Sequence, residues 1–488
     1  LLPKERKAHA QKMKAKGNTE YSAKRYETAI HGYTQAIRFY ADDPVFYANR
    51  AACYLSLGRY HDCIRDCDDA LKRDNAYIKA LNRRAAARES LMEFEEAVND
   101  YTACCIIDGF QNQSFAVAME RALKALTDEK TKDVLKVRNL DLPSGYVISS
   151  YLEGFHCCID AGVDEALAEV PENSTLAGDD MYRQALLHMK EQRYGDAERC
   201  FSDAAKAGCT RQHHAVAMCG VFFGLRGNVA DAMREFASAL EIQPDDVQVM
   251  VLRGATLLQL GDVAGGMSQF TQALSIADNN ADIYYNRGQG FFIQGELDKA
   301  VADYKRAIEI DATRSVAFIQ LGVAQYRMGE QRAAEATFRR ATRGFPESAH
   351  VRIFHAELLI DQQRYDDAEK ALEDASKLDP TNALAWVNRA LLCMQQRSDA
   401  SAAEELLLKA IEVDDECEAA MVSLAQLYLQ QGKLKDALKL FERGVELART
   451  EQEISTMVGY SEATRTQVSF ANQHPELASR LTALHGAA

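Results

Sequence analysis

The 488-residue sequence contains no apolar run near the roughly 18 residues that a bilayer-crossing helix requires, so nothing in it spans a membrane by itself. It also lacks a phosphate-binding glycine loop, any metal-ligand spacing of Cys and His, and any Ser, His and acid grouping of catalytic type. These absences exclude the common enzyme signatures, and no cofactor, metal or catalytic residue is expected. Adjacent doublets such as Cys104-Cys105, Cys157-Cys158 and His213-His214 diverge by about 100° on a helix and do not converge on one ion. The twelve cysteines lack small-scaffold spacing and predict free thiols in a reducing compartment, with Cys63 and Cys67 taking core positions of a helix.

Positive charge is also in short supply, and unevenly so. The formal net charge is −15; residues 1–140 hold 24 Lys and Arg against 20 Asp and Glu, and residues 141–488 hold 33 against 52, giving +4 and −19. Such a balance argues against nucleic acid as the main ligand, because phosphate binding needs a basic surface. The acidic half suits cationic or amphipathic partners, or serves solubility alone. At this length the chain exceeds the roughly 250–300 residues at which single cores stop growing, so several domains or a solenoid are expected. The first residue is Leu1, and a basic stretch follows (Lys4, Arg6, Lys7, Lys12, Lys14, Lys16). This predicts the soluble remainder of a longer protein whose anchor or targeting segment was removed.

What the sequence does have is self-similarity. Tyr26, Tyr60 and Phe94 are spaced by 34 residues, as are Ala29, Cys63 and Ala97; Tyr33, Cys67 and Tyr101, and Ala36, Ala70 and Cys104, repeat the same period. This is the tetratricopeptide pattern of two antiparallel helices per unit, and it predicts an all-α superhelical solenoid. The pattern stops near Cys104 and resumes near Gly178, with units beginning near 178, 213, 247, 281, 315, 349, 383 and 418. Eleven units result, three and then eight. Gly227, Gly261, Gly295, Gly329 and Gly432 end first helices of units, and Pro244, Pro346 and Pro380 close second helices. The segment Glu451 to Ala483 reads as a solvating cap helix. Expected boundaries are therefore 1–104 for the first array, 105–177 for an irregular connector, and 178–488 for the second array with its cap.

Within the connector, Phe115 to Val137 reads as one further amphipathic helix, Leu140 to Gly145 as breakers, Tyr146 to Ile159 as an apolar stretch, and Pro171 to Asp179 as a turn-rich link. Tyr146, Val147, Ile148, Tyr151, Leu152 and Phe155 are too apolar to stay in water, so this stretch is expected to pack on one of the two arrays.

Five residues of the first array form a candidate carboxylate grip. Lys14 and Asn18 share one face of the first helix, Lys79 and Arg83 one face of the fifth, and Asn49 lies on the helix between them. A chain terminus ending in Asp offers two carboxylates close together, acceptor-only groups that suit Lys ammonium, Asn amide and the Arg fork. The Asn49-Arg50 dipeptide is weak evidence, because Asn286-Arg287 and Asn388-Arg389 repeat it. The full set is what distinguishes the site; later units carry Val251 and Ala255, or Ile353 and Glu357, at the places of Lys14 and Asn18.

The eight-unit array presents a second groove of different character. Its expected lining comprises Tyr285, Gln289, Phe292 and Ile293, then Ile319, Val323 and Tyr326, then Ile353, Glu357, Ile360 and Asp361. Apolar walls with acidic points suit an amphipathic, positively charged segment.

Together these features resemble the seventy-kilodalton import receptors of the translocase of the outer mitochondrial membrane. The likeness rests on the three-plus-eight layout, on Leu142-Pro143-Ser144 before the apolar segment, on YYNRGQGFFIQGELDKAVADYKRAIEID from Tyr284, and on FHAELLIDQQRYDDAEKAL from Phe354. The resemblance implies that Lys14, Asn18, Asn49, Lys79 and Arg83 bind the Glu-Glu-Val-Asp tails of cytosolic seventy- and ninety-kilodalton heat-shock chaperones. It further implies that the second array accepts hydrophobic preproteins, that other translocase subunits are partners, and that the chain works at the cytosolic face of the outer mitochondrial membrane. A soluble co-chaperone adaptor is the alternative, but it would be expected to carry a second clamp, and none is found. An enzyme with flanking repeats would need a non-repeat region of about 200 residues, more than the connector provides.

Overall fold

In the computed structural model, residues 3–137, 142–171, 174–397, 399–448 and 450–477 are described, and no strand occurs among them. Residues 140–141 of the expected breakers, 172–173 of the turn-rich link and 478–483 of the expected last helix lie outside the described residues. The helices come in antiparallel pairs. The first three pairs run Pro3–Ser22 with Tyr26–Phe39, Pro44–Ser56 with Tyr60–Leu71, and Ile78–Ser90 with Phe94–Asp108. The later inner helices begin at Ala177, Gln212, Val247, Ala281, Ser315, Ala349, Ala383 and Glu418, within one residue of the spacing read from the sequence. At the turns, Gly227, Gly261, Gly295, Gly329 and Gly432 all take left-handed φ between 74° and 90°, the conformation that ends a helix without a Cβ penalty.

Two devices join the helices of a pair, each at a fixed spacing of sixteen residues. The first is a glycine against a ring: a Cβ on Gly17, Gly254, Gly288 or Gly322 would stand 2.6–2.7 Å from Tyr33, Phe270, Tyr304 or Phe338. Only glycine lets the inner helix approach that closely, and the ring fills the space. The second is a bidentate ion pair. Arg50 grips Asp66 through Nε and NH2, both at 2.7 Å, and Arg84 on Asp100 and Arg287 on Asp303 repeat the same two-nitrogen grip. All three aspartates are buried. The arginine of the recurring Asn-Arg dipeptide is therefore a structural clasp at positions 50 and 287.

By packing, the chain divides into two compact units, Leu1–Arg138 with Leu424–Ala488, and Asn139–Ser423. In the first unit the three repeats continue into the long helix Gln113–Val137, and the helix Glu451–Gln473 packs along it and along Phe94–Asp108. A capping box between Thr450 and Glu453 starts this last helix. Its face is buried at Ile454, Met457, Val458, Ser461, Thr464, Thr466 and Phe470, and Lys130 Nζ reaches Glu462 at 2.9 Å. The helix expected as a cap thus buries one face against its neighbours. Small hydroxyl residues read as polar surface, yet Thr464 and Thr466 satisfy their hydroxyls on the carbonyls of Tyr460 and Ala463 and permit close packing.

In the second unit the connector folds as the helix Gly145–Leu152, a short turn of helix at His156–Cys158, and the helix Asp160–Glu169. Ile148, Leu152, Phe155, Val163 and Ala166 join one continuous core with Tyr182, Phe201, Phe222 and Phe236 of the following repeats. Among the described residues no cysteine forms a disulfide, and Cys63 and Cys67 are fully buried.

Candidate functional site

The inner helices of the first three repeats place the five residues of the expected grip. Asn18 Oδ1 accepts from the Tyr33 hydroxyl at 2.8 Å and from Asn49 Nδ2 at 3.4 Å, so the first and third helices of the chain share one amide cluster. Arg83 spends one arm on the Ala48 carbonyl at 2.6 Å, beside Asn49. Burial pushes the Tyr33 phenol up to about 12 and the Cys53 thiol likewise to about 12, and in both cases the Arg83 charge pulls the other way. Asn18, Asn49 and Arg83 are thus brought together. Lys14 and Lys79 stand one helical turn before Asn18 and Arg83 on the same helices.

The electrostatics of this face are unusual for the array. Arg50, Arg84, Arg88 and Lys72 all have carboxylate partners within 3.0 Å. Among the described residues neither Lys14 nor Lys79 has an ion-pair or hydrogen-bond partner, and Arg83 has only a carbonyl. Three cations and two amides without a carboxylate leave donors available to an acidic ligand. At the corresponding places of a later repeat, Val251 and Ala255 are buried in packing.

In the second unit the expected groove divides. Tyr285 and Gln289 are half-buried, and Gln289 Nε2 donates to the Tyr285 hydroxyl at 3.1 Å. They line a pocket of about 380 Å³ together with Leu258, Ile293, Tyr146 and Tyr151. Phe292 lies under the Arg327 guanidinium at 5.0 Å, and Val323 and Tyr326 are half-buried against Phe338 and Leu358. Glu357 accepts from Asn388 at 2.8 Å; burial, with the Asp361 charge adding, holds its carboxyl above the usual range, while Asp361 itself is exposed. Three expectations are corrected. Ile319, Ile353 and Ile360 are 3%, 0% and 9% exposed, buried between helices, and so offer little or nothing to a ligand. A branched side chain on the inner face of a helix packs on the next repeat as readily as it lines a groove, and sequence spacing does not separate the two.

One wall of that pocket is the connector. Its carbonyls are taken by the array: Arg314 NH2 donates to Glu153 O at 2.6 Å and Asn286 Nδ2 to Gly154 O at 3.3 Å. Asp282 accepts from the His156 amide at 2.7 Å and from Arg314 NH1 at 2.8 Å, and Tyr151 and Thr256 share a hydrogen bond at 3.0 Å. His350 clasps the start of the connector, with Nε2 3.1 Å from the Tyr146 hydroxyl and Nδ1 3.3 Å from Glu153. The sequence marked the segment as apolar but not as a wall; the signal was Asn286 on one inner helix and Arg314 just before the next, whose side chains take the connector's carbonyls.

Burial pulls the His350 imidazole down, and the hydrogen bond and charge of Glu153, with Asp379 nearby, more than offset it, so its pKa is raised from 6.5. A raised folded-state value means this clasp is at full strength below pH 6.5 and fades as pH climbs through the elevated value. Amide exchange in Gly145–Leu152, corrected for intrinsic rate, should therefore speed up as pH rises from about 6 to about 8.5, and His350→Gln should flatten that dependence.

The tetratricopeptide-repeat family models match residues 182–247, 281–313, 353–415 and 394–459. The chain is 30% identical over 497 residues to the mitochondrial import receptor subunit TOM70 of Homo sapiens, covering 95% of this chain and 80% of that protein. The crystal structure of yeast Tom70 superposes with a TM-score of 0.58 at 28% identity, over 97% of this chain and 99% of that one. A shorter match, 32% over 139 residues and 27% of this chain, is to the Hsp70-Hsp90 organizing protein of Triticum aestivum. An import receptor made largely of such repeats is a binding scaffold and not an enzyme. With likeness running along nearly the entire length, the chain belongs to the TOM70 family of mitochondrial import receptor subunits.

Proposed function

We propose that this chain receives mitochondrial preproteins at the cytosolic face of the outer mitochondrial membrane, and that it recruits the chaperones carrying them through their acidic C-terminal tails. In this reading Lys14, Asn18, Asn49, Lys79 and Arg83 hold the α-carboxylate and the last side-chain carboxylate of a Glu-Glu-Val-Asp tail. The observation that supports it is the cluster of Asn18, Asn49 and Arg83 with cations lacking any carboxylate partner among the described residues. The hydrophobic preprotein occupies the second unit's groove, where Tyr285 and Gln289 meet the connector wall, with Phe292 beneath Arg327 and with Val323, Tyr326, Glu357 and Asp361 extending it. Other subunits of the outer-membrane translocase are partners at the same membrane. The adaptor alternative draws on a match to about a quarter of the chain, whereas the receptor family spans 95% of it.

The experiment is a pair of substitutions read against two ligands. Arg83→Ala should weaken a chaperone tail peptide by about 2 kcal/mol, roughly thirtyfold by calorimetry, since a charge-assisted bond is lost. Phe292→Ala should reduce capture of a hydrophobic preprotein while leaving the tail peptide unchanged. Loss of both ligands in both variants would argue against two sites.

A further inference from the structure

The outer helix Gln331–Gly344 carries Arg332, Arg339, Arg340 and Arg343 and one carboxylate, Glu335. At helical spacing, 332, 339, 340 and 343 fall within an arc of about 100°. They line an open concavity of about 640 Å³ with Gln331 and Gln362. Glu335 is already engaged by Arg339 at 3.0 Å, Arg364 at 3.2 Å and His355 at 3.6 Å. Arg340 lies over the Phe318 ring at 4.9 Å. Arg332 and Arg343 are exposed and have no ion-pair or hydrogen-bond partner among the described residues. Outer helices elsewhere in this unit neutralise their arginines locally: Arg199 meets Asp196, Arg234 meets Asp231 at 2.7 Å, and Arg306 meets Glu309 at 3.1 Å. On this helix Arg332 and Arg343 stay open among the described residues.

We propose that the concavity framed by Arg332, Arg339, Arg340 and Arg343 docks an acidic, extended segment of a partner protein. The eleven residue steps from 332 to 343 cover about 16 Å of helix, which about five extended residues span. Carboxylates at the two ends of such a segment would meet the open forks of Arg332 and Arg343 in bidentate fashion. Gln331 and Gln362 supply amide partners for its backbone. A membrane leaflet fits less well. The adjacent outer helix Tyr365–Leu378 presents Asp366, Asp367, Glu369, Glu373 and Asp374 against Lys370 and Lys377, and a flat anionic surface would meet those carboxylates together with the arginines. A narrow peptide lying along one helix avoids them.

The test uses the full chain and a fluorescein-labelled ten-residue peptide rich in Glu with an amidated C-terminus, so that it lacks the terminal carboxylate of a chaperone tail. Fluorescence anisotropy should show binding that weakens with salt, and Arg332→Glu with Arg343→Glu should weaken it tenfold or more. Arg340 is left in place because it packs on Phe318. Arg83→Ala should leave the affinity within twofold. Arg332→Gln with Arg343→Gln provides the same comparison should the double reversal fail to fold. No measurable binding, unchanged affinity in the double variant, or loss in Arg83→Ala alone would overturn the proposal. Preferential cosedimentation with phosphatidylserine-containing vesicles through the same arginines would overturn it in favour of a lipid surface.

Discussion

Replacing Arg50 by alanine should lower the stability of the first unit by about 3–5 kcal/mol, because it strands a buried carboxylate. Asp66 is 5% exposed, and both of its oxygens are held by Arg50 at 2.7 Å. Arg50 also donates to Thr34 at 2.9 Å, so the preceding outer helix loses a contact as well. Removing both partners together, Arg50→Ala with Asp66→Ala, should recover part of the loss, since no charge is then left unpaired. The neighbouring residue gives the contrast. Asn49 makes one long hydrogen bond, at 3.4 Å, so Asn49→Ala should leave the melting temperature nearly unchanged while weakening the tail peptide. A thermal melt followed by circular dichroism, paired with calorimetric titration, checks both. Equal melting of the two variants would mean that the sixteen-residue ion pairs do not hold the repeats.

Arg314→Ala should be of similar size, about 3–5 kcal/mol in the second unit, and should also release the connector. Arg314 is 7% exposed and joins two structures at once: NH1 neutralises Asp282 at 2.8 Å, and NH2 holds the Glu153 carbonyl at 2.6 Å. Among the described residues Asp282 would keep only the His156 amide as a partner for its buried charge. Because one wall of the 380 Å³ pocket is made of Tyr146, Val147 and Tyr151, loosening the connector should cost preprotein capture as well as stability. Hydrogen exchange would show faster opening of Gly145–Leu152 than of the repeats. Unaltered exchange in that helix would mean that apolar packing of Ile148, Leu152 and Phe155 holds it without the polar clasp.

The repeat architecture was legible because each unit solves the same packing problem with the same residue types. Tyr33, Cys67 and Tyr101 recur at 34 residues and are all buried, and the inner helices begin where the period places them. Two features were less legible. Ile319 and Ile353 follow the same face as Val323 and Glu357, and only the neighbouring repeat decides which side chain is sealed. The last helix offers Ser461, Thr464 and Thr466 to the long helix and the third repeat, and local carbonyls satisfy the two threonine hydroxyls; composition alone reads such a face as wet. The Asn-Arg dipeptide carried two messages that sequence could not part. At 49 and 50 the asparagine faces the amide cluster, and the arginine closes the helix pair.

The central claim is that the amide and cation cluster of the first three repeats reads a free carboxylate terminus. Calorimetric titration of one acidic Asp-ended peptide, with its C-terminus free and then amidated, tests it most directly. The account predicts that amidation weakens binding by about 2 kcal/mol or more, roughly thirtyfold, with the acidic side chains unchanged. Equal affinity for the two forms would contradict it, because binding would then rest on diffuse charge and not on recognition of the chain end.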